Sequence, residues 1–138
     1  MSAHGGLLKL TTAGDGDVVD ITPGVEAVVR QSGVETGVAV VFAPGATVGV
    51  TTMEFEPGAV ADLQALLDRL IGSDAGGEHN ARNHDTNGHA HLRAALVGPS
   101  ESIPVVAGRL TLGTWQQIVL VDFDDRPRER QVMVQVLS

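Results

Sequence analysis

The sequence predicts a single α+β domain over residues 1–138, with mostly antiparallel or mixed β-sheets and two to three helices. Apolar segments of strand length recur along the chain and are separated by Gly, Asp and Pro turns. Longer segments place their apolar residues at helical spacing instead. The order ββαββααβββ is not a regular alternation, and 43% of the residues are hydrophobic, which is enough for one core.

The first predicted elements are two short strands and a helix. Residues 7–12 and 18–21 have strand patterns and are joined by a Gly-rich turn. The helix begins with Thr22 as its N-cap and Pro23 in the first turn, where the missing N–H of proline costs no hydrogen bond. Gly33 is expected to end this helix, because glycine readily adopts the left-handed conformation found there.

The middle of the chain predicts a second pair of strands and a second helix. Residues 37–44 form a nearly continuous apolar run, which is typical of a buried central strand, and residues 46–55 form the next strand. Pro57 opens a helix whose apolar residues fall on one face. That face consists of Val60, Leu63, Leu66, Leu67, Leu70 and Ile71.

A polar segment, a short helix and three strands complete the prediction. Residues 72–87 are polar and rich in glycine, so we expect a long loop. A short helix follows and ends at Gly98. The remaining strands cover residues 102–108, 109–123 and 128–137.

The composition excludes several functional classes. The chain has no cysteine, which excludes disulfides, thiolate metal sites and a Cys nucleophile. Its formal net charge of −8 at pH 7 disfavours nucleic acid as a partner. The first residues lack a signal-peptide pattern, and no apolar run approaches the roughly 20 residues of a membrane span. We therefore expect a cytoplasmic protein with neither nucleic acid nor membrane as a partner.

Four of the five histidines lie between residues 78 and 92. Several imidazoles close together suit a divalent metal or acid–base chemistry near neutral pH. The spacing matches neither H-E-x-x-H nor a zinc finger, and His89 and His91 would point in different directions on a helix. The alternative is a solvated loop whose polar side chains cap turns and the next helix. Both interpretations stay open on the residues alone.

The C-terminal half carries a specific series of motifs. Residues 87–92 match an N-A-x-A-H-L helix start except for Gly88 at its second position, and residues 96–100 match an L-x-G-x-S helix end. Residues 103–118 match I-P-V-x-x-G-x-L-x-L-G-T-W-Q-x-I, and residues 127–130 match a closing P-R-x-R. This series resembles the YjbQ-type family, whose members are often labelled secondary thiamine-phosphate synthase. The match is strong over residues 79–138 and weaker but collinear upstream.

The resemblance implies a homotrimer with a His-lined pocket near the subunit contacts. Family members carry one His in an H-T-T-A run, one in a Y-x-H loop and one at the A-H-L helix start. The last two correspond to His79 and His91, whereas Gly45 stands where the first is expected. A divalent metal, zinc first, is expected on His79, His84 and His91, with His84 or His89 replacing the missing ligand. The alternatives are a site that binds an anion and a site that binds nothing.

The candidate catalytic residues are Glu54, His79 and His91. Glu54 ends a predicted strand and is expected to act as a base; otherwise it is a solvated charge at a sheet edge. The two imidazoles can donate and accept protons near neutral pH. The sequence contains no nucleophile-elbow or P-loop pattern.

The candidate substrate-binding residues are Gln116, Arg109 and Asn87. Gln116 alternates outward from Trp115 in a largely apolar segment and can hydrogen-bond a ligand or a neighbouring chain. The guanidinium of Arg109 matches phosphate geometry. Asn87 has an alternative role as the N-cap of the helix that follows it. Trp115 is expected in the core or as a ring at the trimer interface.

These features favour an enzyme of the thiamine-phosphate synthase type that acts on a small phosphorylated ligand at a His-lined, metal-binding pocket. The family's label implies joining a pyrimidine pyrophosphate to a thiazole phosphate. Arg128 and Arg130 are further phosphate candidates, although alternate positions at a strand start more often face solvent or pair with Asp. The alternative is a non-catalytic trimeric binding or structural protein that has lost the full His set, and Gly45 is its main support.

Overall fold

Two antiparallel sheets contain all eight strands found in residues 2–138, the part of the chain that the computed structural model describes. The strand order is β1-β8-β3-β5-β6 in the larger sheet and β2-β7-β4 in the smaller one. The strands are β1 (Ala3–Thr12), β2 (Asp17–Asp20), β3 (Thr36–Phe42), β4 (Val48–Met53), β5 (Ser100–Val106), β6 (Arg109–Leu110), β7 (Gln117–Asp122) and β8 (Arg128–Leu137). The helices are α1 (Thr22–Ser32), α2 (Pro57–Leu70), α3 (Gly77–Asn83) and α4 (Gly88–Val97). The predicted α+β class with antiparallel sheets is confirmed.

The smaller sheet is buried on both faces, and β7 shows why. Ile118 and Leu120 of β7 pack in a core shared with the larger sheet and α1. Val119 and Val121, which point the other way, pack in a second core with residues of α2 and α4. A strand covered on both sides needs apolar residues at every position, so β7 is a continuous apolar run.

The outer face of the larger sheet is open to solvent and partly apolar. Leu7 on β1 and Phe42 on β3 both lie opposite Met133 on β8. These three side chains form one row across neighbouring strands and are 40% to 49% exposed. A row of this kind is a surface at which another protein chain can pack.

The segment predicted as a loop, residues 72–87, contains the helix α3. This helix has seven residues and none of them is buried, so it has no apolar period that the sequence could reveal. Residues 2–138 therefore contain four helices where two to three were expected. Within residues 2–138, no helix combines the length and apolar character needed to cross a membrane.

Two local predictions are wrong in detail. Residues 109–123 form the short β6 and the longer β7, with a turn between them that carries Trp115. Trp115 is 74% exposed, which excludes a place in the core of a single chain. Thr22 lies inside α1 rather than capping it, because Asp20 Oδ1 accepts a hydrogen bond from the Thr22 N–H and the cap position falls on Ile21.

Candidate functional site

The starts of α3 and α4 pack backbone against backbone. Gly76, which precedes α3, has φ of 82°, a conformation that favours glycine. A Cβ on Gly76 would lie 2.4 Å from the carbonyl carbon of Gly88, and a Cβ on Gly88 would lie 2.4 Å from the Gly76 oxygen. The two backbones can approach this closely because both residues are glycines. The approach brings the first turn of α3 and the first turn of α4 together.

The close approach places the imidazoles of His79 and His91 side by side. Their ring centroids are 4.5 Å apart and the rings are inclined at 41°. His79 lies on α3 and His91 on α4, and both are half-buried. The α3–α4 junction thus holds a pair of half-buried imidazoles, and the name imidazole cleft denotes this position.

Asn80 determines the tautomer of His79. Asn80 Oδ1 accepts a hydrogen bond of 2.9 Å from the Gly88 N–H, so this atom of the amide is the oxygen. The same oxygen lies 3.0 Å from His79 Nδ1. Because two acceptors cannot pair, His79 Nδ1 carries the hydrogen and donates it. Neutral His79 therefore presents the lone pair of Nε2, which suits a base or a metal ligand.

A buried ion pair lies at the end of β7 nearest α4. Arg130 donates to both oxygens of Asp122, from Nε at 2.7 Å and from Nη2 at 2.8 Å. Thr12 Oγ1 adds a third hydrogen bond to Asp122 at 2.5 Å. Burial alone would raise the pKa of Asp122, but the hydrogen bonds from Arg130, Thr12 and the Asp124 backbone outweigh it, so the pKa lies below its ordinary value.

Asp124 extends this network toward α4. Its Oδ2 accepts from Arg128 Nη1 at 2.6 Å and from Thr47 Oγ1 at 3.2 Å. Its Oδ1 accepts from Asn87 Nδ2 at 3.2 Å and from the Asp125 N–H at 2.9 Å. Burial tends to raise the pKa of Asp124, yet these hydrogen bonds and the charge of Arg128 lower it overall. The carboxylate is therefore charged at neutral pH.

Asn87 joins the network to the imidazole pair. It precedes α4, and its backbone oxygen accepts from the N–H groups of Ala90 and His91 in the first helical turn. Its side chain makes no capping hydrogen bond to the helix and bonds Asp124 instead. Hydrogen bonds thus connect the His91 backbone to Asn87, and Asn87 to the buried Asp124, around the start of α4.

The structure brings together only part of the predicted site. His79, His91 and Asn87 meet at the α3–α4 junction. His84 is exposed and follows α3 with φ of 52°. Within residues 2–138, no group of three or more His, Cys, Asp or Glu side chains is arranged to hold a metal ion. One chain therefore does not assemble His79, His84 and His91 around a common point.

Three predicted site residues lie elsewhere in the chain. Glu54 is exposed and directly follows β4, whereas Thr47 directly precedes it. At about 3.3 Å per residue, the strand separates Glu54 from Thr47 by roughly 20 Å. Gln116 uses its amide locally: Oε1 accepts from the Gly113 N–H and Nε2 donates to Thr52 Oγ1. The exposed Arg109 lines a groove between α1 and the β5–β6 turn. None of the three belongs to the imidazole cleft of the same chain.

Sequence reasoning missed the two buried acids, and it named His89 only as a possible replacement metal ligand. Asp122 and Asp124 directly follow an apolar strand and precede the P-R-x-R motif, a pattern that could have indicated a buried pairing. The expectation that Arg128 and Arg130 pair with Asp is confirmed. His89 is buried, whereas His91 is half-buried and His84 is exposed, and nothing in the sequence distinguishes the three in this respect.

Gly45 lies beside the same network. Its φ is 146°, and a Cβ there would lie 3.1 Å from Arg130 Nη1 and 3.0 Å from a methyl group of Val48. A side chain at this position would therefore enter tight space next to the buried arginine. The position at which the resembled family carries its first His is thus close to the network but is occupied by a residue without a side chain.

Comparison with known proteins agrees with this architecture. The family model for UPF0047 protein YjbQ-like matches residues 7–138. A UPF0047 protein from Methanothermobacter thermautotrophicus is 36% identical over 129 residues, covering 94% of this chain and 88% of the relative. One from Mycobacterium tuberculosis strain H37Rv is 41% identical over 114 residues, covering 80% of this chain and 82% of the relative.

Solved structures show the same fold. A YbjQ-like protein of unknown function from Sulfolobus solfataricus superimposes with a TM-score of 0.94 at 32% identity, covering 99% of this chain and 98% of that one. An uncharacterized YjbQ/UPF0047 protein from Clostridium acetobutylicum gives a TM-score of 0.85 at 37% identity, covering 95% and 98%.

Proposed function

This chain belongs to the YjbQ-like UPF0047 family, and on that basis we propose that it is an enzyme of the thiamine-phosphate synthase type acting on a small phosphorylated ligand. The observation that carries the proposal is the His79–His91 pair, with ring centroids 4.5 Å apart. The hydrogen bond to Asn80 orients one ring of the pair, and both histidines are half-buried. Paired groups of this kind serve acid–base chemistry.

The two imidazoles have complementary roles in this proposal. His79 offers the lone pair of Nε2 because Nδ1 donates to Asn80. His91 makes no side-chain hydrogen bond within residues 2–138, so its ring is available to a ligand as a proton donor. In the joining reaction the thiazole nitrogen forms a bond to the pyrimidine substrate's carbon that carries pyrophosphate, and the bond from that carbon to pyrophosphate breaks. A nearby imidazolium stabilises the negative charge that develops on the leaving oxygen. The N-terminal end of α4 adds a favourable field for an anion.

Zinc binding is a separate proposal, and the donor set of one chain does not fit it well. Catalytic zinc sites usually have three protein ligands, and the described residues of one chain bring together only His79 and His91. A third donor would have to come from a neighbouring copy or from the ligand. The acid–base roles above do not depend on a metal.

We also propose that the protein is a homotrimer. The support is the exposed row of Leu7, Met133 and Phe42 on the outer sheet face, together with the exposed Trp115. Apolar surfaces of this kind are typical of subunit contacts. Glu54 and Gln116 contribute to the imidazole cleft only if a neighbouring copy supplies them.

A second candidate is a non-catalytic trimer that binds a ligand without converting it. Gly45 favours this candidate, because the family's first His is missing beside Arg130. The two candidates differ in turnover, whereas both predict that the imidazole cleft binds a phosphorylated ligand.

Calorimetric titration with inorganic pyrophosphate and with thiazole phosphate tests the proposal. We expect His91→Ala to lose binding while the chain stays folded, because the ring is half-buried and makes no side-chain hydrogen bond. His84→Asn is the matched control, since His84 is exposed and Asn tolerates its left-handed backbone. Equal affinity of wild type and His91→Ala would defeat the proposal. Product formation from pyrimidine pyrophosphate and thiazole phosphate separates the enzyme from the non-catalytic candidate.

A further inference from the structure

We propose that Asn87 and His89, in the first turn of α4, form an enclosed polar position that receives a hydrogen-bond donor of the ligand. The proposal rests on the proposed function, because it names a chemical feature of the ligand bound at the α3–α4 junction. The feature is an N–H or O–H group separate from the phosphate. In the free protein a water molecule takes its place.

The orientation of the Asn87 amide follows from its partner. Asp124 is held charged by its own hydrogen bonds, and a carboxylate can only accept. The nitrogen of the Asn87 amide must therefore face Asp124, at 3.2 Å from Oδ1. The amide oxygen points elsewhere, and rotation of the amide would place it against a negative charge.

The amide oxygen of Asn87 is buried and has no hydrogen-bond donor within residues 2–138. Asn87 as a whole is 8% exposed. A buried acceptor without a donor destabilises the folded state, so such atoms in proteins are normally occupied by water or a ligand. This atom requires a donor and excludes an anion.

His89 has the same unmet requirement. The residue is 7% exposed, and its Nδ1 is buried with no partner in the described part of the chain. An imidazole nitrogen can accept or donate, depending on the tautomer. His89 can thus pair with either end of a polar group, whereas Asn87 Oδ1 accepts only.

The position is separate from the imidazole pair and can be tested separately. His89 and His91 are two residues apart on a helix, so their side chains leave it in different directions. Asn87 is also joined to Asp124, on the side of the buried network. A ligand lying across the start of α4 would place its phosphate at His91 and its donor group at Asn87 and His89.

A matched pair of probes tests this arrangement. 2-Hydroxyethyl phosphate carries a phosphate and an O–H donor, and ethyl phosphate is its counterpart of equal charge without the donor. We expect wild type to bind 2-hydroxyethyl phosphate roughly three- to tenfold more tightly, the range that one net hydrogen bond provides. His89→Leu should lose this preference, and His89→Asn, which keeps a polar atom near Nδ1, should retain most of it. His91→Ala should weaken both probes equally.

Thermal unfolding of the free protein separates failure of this inference from failure of the proposed function. If neither probe binds wild type, the proposed ligand class is wrong. The enclosed position is then tested by the stability of the free protein alone. A water paired with His89 predicts a lower Tm for His89→Leu and a smaller change for His89→Asn. A higher Tm for His89→Leu would overturn the inference, because it would mean that Nδ1 has no partner in the folded protein. Equal binding of both probes by wild type would overturn the donor contact.

Discussion

The imidazole rings of His79 and His91 lie 4.5 Å apart because two glycines, Gly76 and Gly88, let α3 and α4 touch through their backbones. The rings come from different helices, and the second helix also carries Asn87, which bonds the buried acid Asp124. The cleft is therefore supported by both helix packing and a polar network. Each support can be removed by a single substitution.

Gly76→Ala should destabilise the protein and separate the two imidazoles. The new Cβ would lie 2.4 Å from a backbone carbon of Gly88, and φ of 82° is unfavourable for alanine. We expect a loss of about 1–3 kcal/mol in the free energy of unfolding. Denaturant unfolding measures it. Gly77→Ala is the control, since its Cβ meets nothing within 4 Å and alanine favours a helix. Similar effects of the two substitutions would contradict the packing argument.

Asp122→Asn should cost about 3 kcal/mol in the free energy of unfolding, because it removes the main partner of the buried Arg130 and leaves only Asp124, at 3.9 Å, to balance its charge. The amide retains the shape of the carboxylate, so loss of charge is the main change. Asp62→Asn on the exposed surface of α2 is the control and should change stability little. A loss below 1 kcal/mol for Asp122→Asn would show that the pair does not hold this end of β7.

Stability should fall in acid through Asp122 and Asp124. The pKa of each is lower in the folded protein than the ordinary value of about 3.9. Their stabilisation is therefore fully present above about pH 4 and is lost as the pH falls through the lowered folded-state pKa. Urea unfolding between pH 2.5 and pH 7 measures this. Asp124→Asn should reduce the fall in the free energy of unfolding between pH 4 and pH 2.5. The same fall in wild type and variant would argue against a role of Asp124.

Trp115 should become protected when copies of the chain associate. It is the only tryptophan, so intrinsic fluorescence reports on it alone. In one chain the side chain is 74% exposed, which predicts red-shifted emission and easy quenching by acrylamide after dissociation. A trimer that covers Trp115 should show blue-shifted emission that moves to the red on dilution. Light scattering that gives a monomer at micromolar concentration would contradict the proposed assembly.

The sequence predicts the sheets better than it predicts the site. The apolar run in β7 is a strong pattern because this strand is buried on both faces. The apolar stripe of α2 predicts a helix by its spacing alone, since Leu67 is the only buried residue of α2. The helix α3 has no buried residue, so no hydrophobic period marked it. Its contact with α4 depends on two glycines. The sequence does not distinguish a glycine that permits a close backbone approach from other glycines in a polar segment.

The sequence also identified some site residues for reasons that the geometry supports only in part. His79 and His91 were found from family motifs, and the structure brings them together. Glu54 and Arg109 were chosen for charge and position, and neither lies at the cleft of the same chain. Long-range placement of polar residues depends on how sheets and helices pack, which local patterns do not encode. The sequence names His89 only as a replacement metal ligand and does not predict that it is buried, because burial of a single polar residue leaves no periodic signal.

Long-range ¹H–¹⁵N spectra of the histidine side chains, recorded during titration with pyrophosphate, test the central claim most directly. We expect the ring nitrogens of His79 and His91 to shift together with one binding curve, while those of His4 and His84 stay unchanged. Free His79 should show the hydrogen on Nδ1, as its contact with Asn80 requires. Unchanged signals from His79 and His91 at saturating pyrophosphate, or equal shifts at His84, would contradict a phosphate site at the α3–α4 junction.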